Sequence, residues 1–187
     1  MFRFLMIGLL FAPWAHAMEV VDPNTEINPI YDLFVQAYQQ LDAAPLSQRY
    51  GVKACMMGVS ERDGFFEGPE QIRTAYQRWF DKIRAKEGSI DIRFRVVNRN
   101  VSDETVTDAG FYLIRYSPAE SSQQAPSEFA GKFIMTFRQD DQGEWQIEVD
   151  SASRVKAELF HQATAKQGLY FAEPFEIMAA QDSHPEP

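Results

Sequence analysis

Residues 90–96 read Ile-Asp-Ile-Arg-Phe-Arg-Val, a stretch in which apolar side chains alternate strictly with charged ones. This period of two predicts a β-strand with one apolar face. Three stretches downstream, 105–116, 129–138 and 144–151, also have the composition of strands, and short polar segments separate them. Long consecutive strands joined by turns predict an antiparallel meander.

Upstream of these strands the hydrophobic period lengthens to that of a helix. Thr25 is predicted to cap a first helix that runs to about Ala44. Gly68 begins a second helix, with a proline in its first turn, that ends at Gly88. A short helical turn at 45–50 and strands at 53–59 and 65–66 lie between the two helices. Helices that precede a sheet predict an α+β fold, a cone with N-terminal helices packed on a curved antiparallel meander sheet.

The second and third strands of the meander are apolar on both faces. Phe111 and Leu113 occupy one face of the second strand, whereas Tyr112 and Ile114 occupy the other. Helices on one side of a sheet can cover only one of these faces, and a strand with its other face in water should alternate cleanly. The outer sheet face is therefore predicted to form a homodimer contact, or to pack on the C-terminal segment. In a dimer, Ile114 and Tyr116 are candidate contact residues.

The first 17 residues have the pattern of a signal peptide. Arg3 precedes an apolar run at 4–14, and Ala-His-Ala at 15–17 matches a cleavage site. The run is too short to span about 30 Å of hydrocarbon. We therefore expect an exported protein, periplasmic rather than secreted, with no stable membrane insertion after cleavage. The predicted organisation is a signal peptide (1–17), a linker (18–24), one domain (25–155) and a C-terminal segment with a helix and a flexible tail (156–187).

Composition restricts the chemistry that this chain can carry. The net charge is −9 without a basic cluster, which argues against a nucleic-acid partner. Cys55 is the only cysteine, and His161 and His184 both lie near the C-terminus, so neither a metal nor a cofactor is expected. Because Ala54 and Met56 flank it, Cys55 is predicted to be a buried structural thiol.

Several short segments carry a resemblance to a known family. They read Ile-Asp-Ile-Arg at 90–93, Asp-Ala-Gly-Phe-Tyr at 108–112, Gly-Lys-Phe at 131–133, Trp-Gln-Ile at 145–147 and Asp-Ser-Ala-Ser at 150–153. In this order, and with a Gly-Pro-Glu helix start, they resemble the nuclear transport factor 2-like superfamily, which includes the SnoaL-like polyketide cyclases. The chain is most similar to the branch of the calcium/calmodulin-dependent protein kinase II association domain. Where such relatives carry histidines after the tryptophan strand, this chain has Val149 and Asp150.

The resemblance implies a cone that holds a small, partly apolar ligand. In cyclase and isomerase branches an aspartate near the end of a strand is the general acid or base, and Asp150 is similarly placed. The candidate ligand-binding residues are Tyr31, Tyr38, Tyr50, Trp79, Arg95, Tyr112 and Phe133, and Phe80 and Phe94 are further lining candidates.

Each candidate also has a structural alternative. The aromatic side chains also suit plain core packing, and Asp150 also suits a solvated strand end or a hydrogen bond with the hydroxyl of Ser151 or Ser153. Arg93, Arg95 and Lys132 are predicted either to hold a carboxylate ligand or to pair with glutamates on neighbouring strands, Glu144 or Glu148.

Strand register decides whether Asp150 reaches the cone. Strict alternation from Trp145 places Ile147 and Val149 on the tryptophan's face and Asp150 on the opposite face. Asp150 therefore faces the cone only if a β-bulge intervenes or if the tryptophan points outward.

Three functions from different classes are compatible with these features. The favoured one is a periplasmic domain that binds a ligand without catalysis. The second is a cyclase, isomerase or dehydratase-type enzyme that uses Asp150, and the third is an oligomerising scaffold.

Overall fold

The computed structural model describes residues 22–59, 64–102 and 104–176. The predicted signal peptide at 1–17 lies outside the described residues. No helix within those ranges is long and apolar enough to cross a membrane. In chain order the elements are α1 (Pro23–Gln40), α2 (Ala44–Ser47), β1 (Tyr50–Met57), β2 (Phe65–Glu67), α3 (Gly68–Arg84), β3 (Ser89–Val101), β4 (Thr105–Ser117), β5 (Ser127–Gln139), β6 (Trp145–Val155) and α4 (Ala157–Gln162).

The six strands form one open sheet in the order β2-β1-β6-β5-β4-β3. Strands β3 to β6 pair consecutively and antiparallel, which confirms the predicted meander and the α+β fold class. Strand β1 pairs in parallel with β6 and carries β2 on its other edge, so the whole sheet is mixed. Local patterning misses this parallel pairing, because a strand's sequence does not specify a partner that lies about a hundred residues away.

The bounds of the helices differ from those predicted. Asp22, rather than Thr25, caps α1, and its side chain accepts a hydrogen bond of 3.0 Å from the backbone N–H of Asn24. A proline directly after the cap fits the first turn, so the helix begins two residues before Thr25. It ends at Gln40 rather than at the predicted Ala44. The next residue, Leu41, adopts a left-handed φ of 54° and caps the helix. Helix α3 likewise ends before the predicted Gly88.

The helices cover one face of the sheet, which we call the inner face. Helix α1 packs against β3 and α3 packs against β1. The inner face includes Ile114 and Tyr116, which pair with Ile92 and Ile90 of β3 and pack in the main core. The prediction that Ile114 and Tyr116 form an outer dimer contact is therefore wrong, because both side chains lie under the helices.

Two β-bulges bring charged side chains to the inner face. In β3 the register shifts between Val96 and Asn98, which turns Arg99 inward opposite Asp108 of β4. In β6 the register shifts opposite Thr136 and Phe137, so that Ile147 and Asp150 are both buried. The bulge that the sequence left open is therefore present, and Asp150 lies on the same face as Trp145.

The C-terminal segment covers part of the outer face. Phe160 of α4 is fully buried against Leu113 of β4 and Ala130 of β5. The residues after α4, predicted as a flexible tail, return to the free edge of β3. There the Val96 N–H donates to the Tyr170 carbonyl at 2.8 Å. The outer face was predicted to pack either on a second subunit or on the C-terminal segment. At this end of the sheet it packs on the C-terminal segment.

Candidate functional site

A buried carboxyl and two tyrosine hydroxyls form the polar centre of the cone. The Tyr50 hydroxyl, at the start of β1, donates to Asp150 Oδ2 at 2.7 Å. The Tyr76 hydroxyl, on α3, reaches the same oxygen at 3.3 Å and lies 3.3 Å from the Tyr50 hydroxyl. Asp150 is 6% exposed, so its carboxyl is nearly but not completely withdrawn from water. Side chains of two elements, β1 and α3, thus meet at one carboxylate oxygen of β6.

The electrostatics of this cluster are those of an acid in apolar surroundings. Burial raises the pKa of the Asp150 carboxyl, and the hydrogen bonds from Tyr50 and Tyr76 oppose that rise. No lysine, arginine or histidine in the described part of the chain contributes to the pKa of Asp150. The carboxyl can therefore change its protonation state at a milder pH than a solvated aspartate.

Aromatic rings fill the space around the cluster. Tyr31 packs on Phe94 with ring centroids 5.2 Å apart, and Phe94 packs on Phe133 at 5.7 Å. The Tyr112 ring fits directly over Gly131 of β5, where even a methyl group would overlap it. Predicted lining residues Tyr31, Tyr38, Tyr50, Phe80, Phe94, Tyr112 and Phe133 are all buried inside the cone. These side chains form the packed core of the cone, and a ligand inside the cone would contact the same side chains.

One end of the inner face is less completely covered. Tyr76 and Trp79 of α3, and Phe129 and Ala152 of the sheet, pack against the core but remain partly exposed. The Arg154 guanidinium lies 5.4 Å from the Phe129 ring at this end. Of the predicted pocket residues, Trp79 belongs to this partly open end.

A second buried polar network in the cone is closed on itself. Asp108 accepts hydrogen bonds from the Tyr31 hydroxyl at 2.7 Å and from Arg99 Nη2 at 2.6 Å. Arg99 Nη1 also donates to Asn24 Oδ1 at 2.7 Å. Because its donors and acceptors satisfy each other, the network acts as a structural ion pair. The sequence analysis missed this network. The only signal for it was Arg99 itself, at a position that strict alternation along the strand assigns to the outer face.

Arg95 does not reach the cone, contrary to the prediction that it binds ligand. It faces outward, with its guanidinium between the rings of Phe160 (4.4 Å) and Phe171 (4.3 Å). Arg95 Nε donates to the Ala172 carbonyl and Nη1 to the Phe160 carbonyl, both at 2.9 Å. The alternation with Phe94 that predicts strand β3 also places Arg95 on the opposite face. The side chain anchors the C-terminal segment.

The other predicted cations are also outside the cone. Arg93 pairs with Asp91 at 2.9 Å, and Lys132 is exposed on the outer face. The predicted partners Glu144 and Glu148 pair instead with other arginines, Arg49 at 3.5 Å and Arg138 at 3.1 Å.

Cys55 also lies on the outer face, opposite Val149, and it is half-buried rather than fully buried as predicted. The strand is two-sided, and the apolar neighbours Ala54 and Met56 are the ones that face the core. Within residues 22–59, 64–102 and 104–176, no group of three histidine, cysteine or acidic side chains is arranged to hold a metal ion.

A surface groove of about 880 Å³ lies between α1, the start of β3 and the C-terminal segment. Its two arginines, Arg93 and Arg115, already pair with Asp91 and Glu128. Both also lie over the Phe175 ring, at 4.7 and 4.5 Å. Both arginines of the groove therefore already have a carboxylate partner.

Comparison with solved structures identifies the fold. An ntf2-like protein with a cystatin-like fold from Novosphingobium aromaticivorans has a TM-score of 0.58 at 13% identity, over 72% of this chain and 84% of its own. A ketosteroid isomerase-like protein from Erwinia carotovora has a TM-score of 0.55 at 11% identity, over 72% of this chain and 98% of its own. ActVI-ORFA from Streptomyces coelicolor has a TM-score of 0.60 at 13% identity, over 71% of this chain and 98% of its own.

A protein similar to the calcium/calmodulin-dependent protein kinase II association domain, from Xanthomonas campestris, matches with a TM-score of 0.52 at 15% identity, over 70% of this chain and 86% of its own. No family model and no curated protein matches the sequence. The chain therefore has the nuclear transport factor 2-like fold, as the sequence resemblance implied. At these identities the likeness establishes the fold alone.

Proposed function

We propose that the cone binds a small, partly apolar ligand that forms a hydrogen bond with Asp150. The observation that carries this proposal is the buried carboxyl among aromatic rings, with both tyrosine hydroxyls bonded to one oxygen. Its other oxygen, Oδ1, has no hydrogen-bond donor among the described residues. A donor group on a ligand would supply that oxygen with a hydrogen bond and complete the cluster.

Tyr76 is the group that must move to admit a ligand. Its two hydrogen bonds, both 3.3 Å, are long, whereas Tyr50 holds Asp150 at 2.7 Å. Tyr76 also lies at the partly exposed end of the cone. Rotation of this side chain therefore costs two weak hydrogen bonds and opens a path to the carboxyl, while Tyr50 keeps Asp150 in position.

An acid–base enzyme is the second candidate, and the bulge in β6 favours it. The bulge brings Asp150 inside, where burial raises the pKa of its carboxyl toward the range in which a general acid or base works. A fold neighbour described as ketosteroid isomerase-like supports this candidate by analogy of fold only. In an enzyme, Asp150→Asn would abolish turnover and largely preserve binding.

We also propose that the protein is exported to the periplasm and that it forms a homodimer through the outer sheet face. The first proposal rests on the signal-peptide pattern at 1–17 and requires a mature N-terminus at Met18, which mass spectrometry of the exported protein checks. The second rests on the apolar residues that remain exposed on that face, Met57, Phe65 and Ile134.

Binding in the cone is tested by filling its open end. Ala152 faces the cone beside Phe133, whereas Ser153, the next residue, is exposed on the outer face. In calorimetric titration with naphthol, a small neutral aromatic alcohol, the wild type and Ser153→Phe should bind with equal affinity. Ala152→Phe should bind at least about tenfold more weakly, because the added ring occupies the ligand's volume.

Equal binding of naphthol by both variants would place the ligand outside the cone. Absence of binding by the wild type would contradict the proposed function. Circular dichroism of both variants checks that each is folded.

A further inference from the structure

We infer that the ligand of the cone is an organic cation, an ammonium group on a small aromatic or alicyclic body, with Asp150 as its counterion. This inference rests on the proposed function and specifies the charge of the ligand. It follows from three features of the described structure: the distribution of basic side chains, the tyrosines around Asp150, and the direction of the hydrogen bonds at its carboxyl.

No basic side chain in the described part of the chain forms an ion pair with Asp150. Arg99, the one cation buried on the inner face, is bonded to Asp108 at 2.6 Å. Arg95 is enclosed by the C-terminal segment, and Lys132 is exposed on the outer face. Arg154 lies over Phe129 at the open end. The described part of the cone therefore presents Asp150 as an anion without a cationic partner.

Five tyrosines surround this carboxyl closely enough for its charge to act on them. Burial raises the pKa of each hydroxyl, and the negative charge of Asp150 adds to the rise. The pKa of Tyr112 is raised to about 12 although the charge of Arg154 lowers it, and at Tyr31 the charge of Asp108 adds more than that of Asp150. The five are Tyr31, Tyr38, Tyr50, Tyr76 and Tyr112. The residues paired with Asp150 on β1 and β5 are uncharged, Met56 and Met135. A carboxylate within a group of aromatic rings is the environment that attracts an organic cation, because the faces of the rings are negative.

The direction of the hydrogen bonds also favours an ammonium group. Tyr50 and Tyr76 donate to Oδ2, which leaves Oδ1 as an acceptor. An ammonium group only donates, so it complements Oδ1 and the ring faces together. A carboxylate ligand would instead meet a buried like charge, and Arg154, the cation at the open end, is exposed and lies over Phe129 rather than beside Asp150. The cone therefore selects against the carboxylate ligand that the sequence analysis considered for Arg93, Arg95 and Lys132.

The inference is tested with three ligands that share one apolar body: phenethylamine, phenethyl alcohol and phenylacetate. Calorimetric titration at pH 7 should show phenethylamine binding about tenfold or more tightly than the alcohol, as expected for a charge-assisted hydrogen bond, and phenylacetate the most weakly. Equal or tighter binding of the alcohol or of phenylacetate would overturn the inference and leave the proposed function intact. If none of the three binds, both fail.

Two variants and a pH series assign the preference to Asp150. Asp150→Asn should reduce the affinity for phenethylamine to that for the alcohol, whereas Asp141→Asn, which removes the same charge from an exposed turn, should leave it unchanged. In the wild type, the affinity for phenethylamine should rise with pH as Asp150 loses its proton, while the affinity for the alcohol should not rise. The pH series uses only the wild type, so it tests the role of Asp150 even if Asp150→Asn does not fold. A flat pH profile for the amine would contradict the assignment.

Discussion

Asp150 is held in a position that costs folding free energy at neutral pH. Burial raises the pKa of its carboxyl above the ordinary value of 3.8, so between those two pKa values the folded protein binds more protons than the unfolded chain. The contribution of Asp150 to stability is therefore largest below the unfolded pKa and is lost as the pH rises through the folded pKa. A tenfold change in the acid constant corresponds to about 1.4 kcal/mol.

The resulting prediction is that Asp150→Asn stabilises the protein at pH 7. Asparagine keeps the shape and can still accept a hydrogen bond from Tyr50, but it carries no charge to desolvate. The gain in melting temperature over the wild type should shrink as the pH is lowered from 7 toward the ordinary pKa of 3.8, because the wild-type carboxyl then takes up its proton. Thermal melts of both proteins across this range check it. A variant that is less stable than the wild type at pH 7 would show that the cluster needs the charge for folding.

The sequence predicted which aromatic side chains lie in the cone, but it did not predict the orientation of the charged ones. Tyr31, Tyr38 and Tyr112 lie in periodic apolar patterns, and the structure places all three in the cone. Arg99 and Asp150 reach the inner face only because bulges shift their strands by one residue. A bulge is stabilised by the pairing of two strands and by what the shifted side chain meets, here Asp108 for Arg99, so the pattern of one strand does not reveal it.

Among the elements, α4 is short, and we expect its contribution to stability to come from one residue. Phe160 is fully buried between the outer face of the sheet and the guanidinium of Arg95, whereas its neighbour Leu159 is 42% exposed. Phe160→Ala should lower the free energy of unfolding by about 3 kcal/mol, the range for loss of a buried aromatic side chain. Leu159→Ala is the matched control and should change it by less than about 1 kcal/mol.

Urea denaturation of the two variants provides the measurement. Similar small losses for both would mean that α4 rests on the sheet without being part of the core. The sequence predicted a helix at this point of the chain, but its function as a cover could not be predicted, because the residues that it covers, Leu113 and Ala130, belong to two other strands.

For the whole molecule, the uncovered part of the outer face carries the prediction of a dimer. Phe65, Met57 and Ile134 are each more than half exposed, and strand pairing places them in one row across β2, β1 and β5 with Ser151 of β6 between them. Exposed apolar residues that form a continuous patch are typical of protein interfaces, which bury about 800 Å² on each partner. Light scattering should therefore give twice the monomer mass.

Ile134→Asp tests this surface, because it places a charge at one end of the row. The variant should be monomeric at micromolar concentrations. Val101→Asp changes an equally exposed apolar residue at the far end of β3, away from this row, and should remain dimeric. A wild-type protein that is monomeric, or an Ile134→Asp protein that is dimeric, would contradict a dimer through this face.

The contact between the C-terminal segment and β3 has a consequence for biosynthesis. Tyr170 and Ala172 bind the backbone of β3 at its free edge, and both follow the complete sheet in the chain. They therefore leave the ribosome after every strand has been made. Until then, the edge of β3 is an open template on which another nascent chain can pair. A truncated translation product that ends before residue 157 would keep that edge exposed, and it would depend on chaperones to stay out of aggregates.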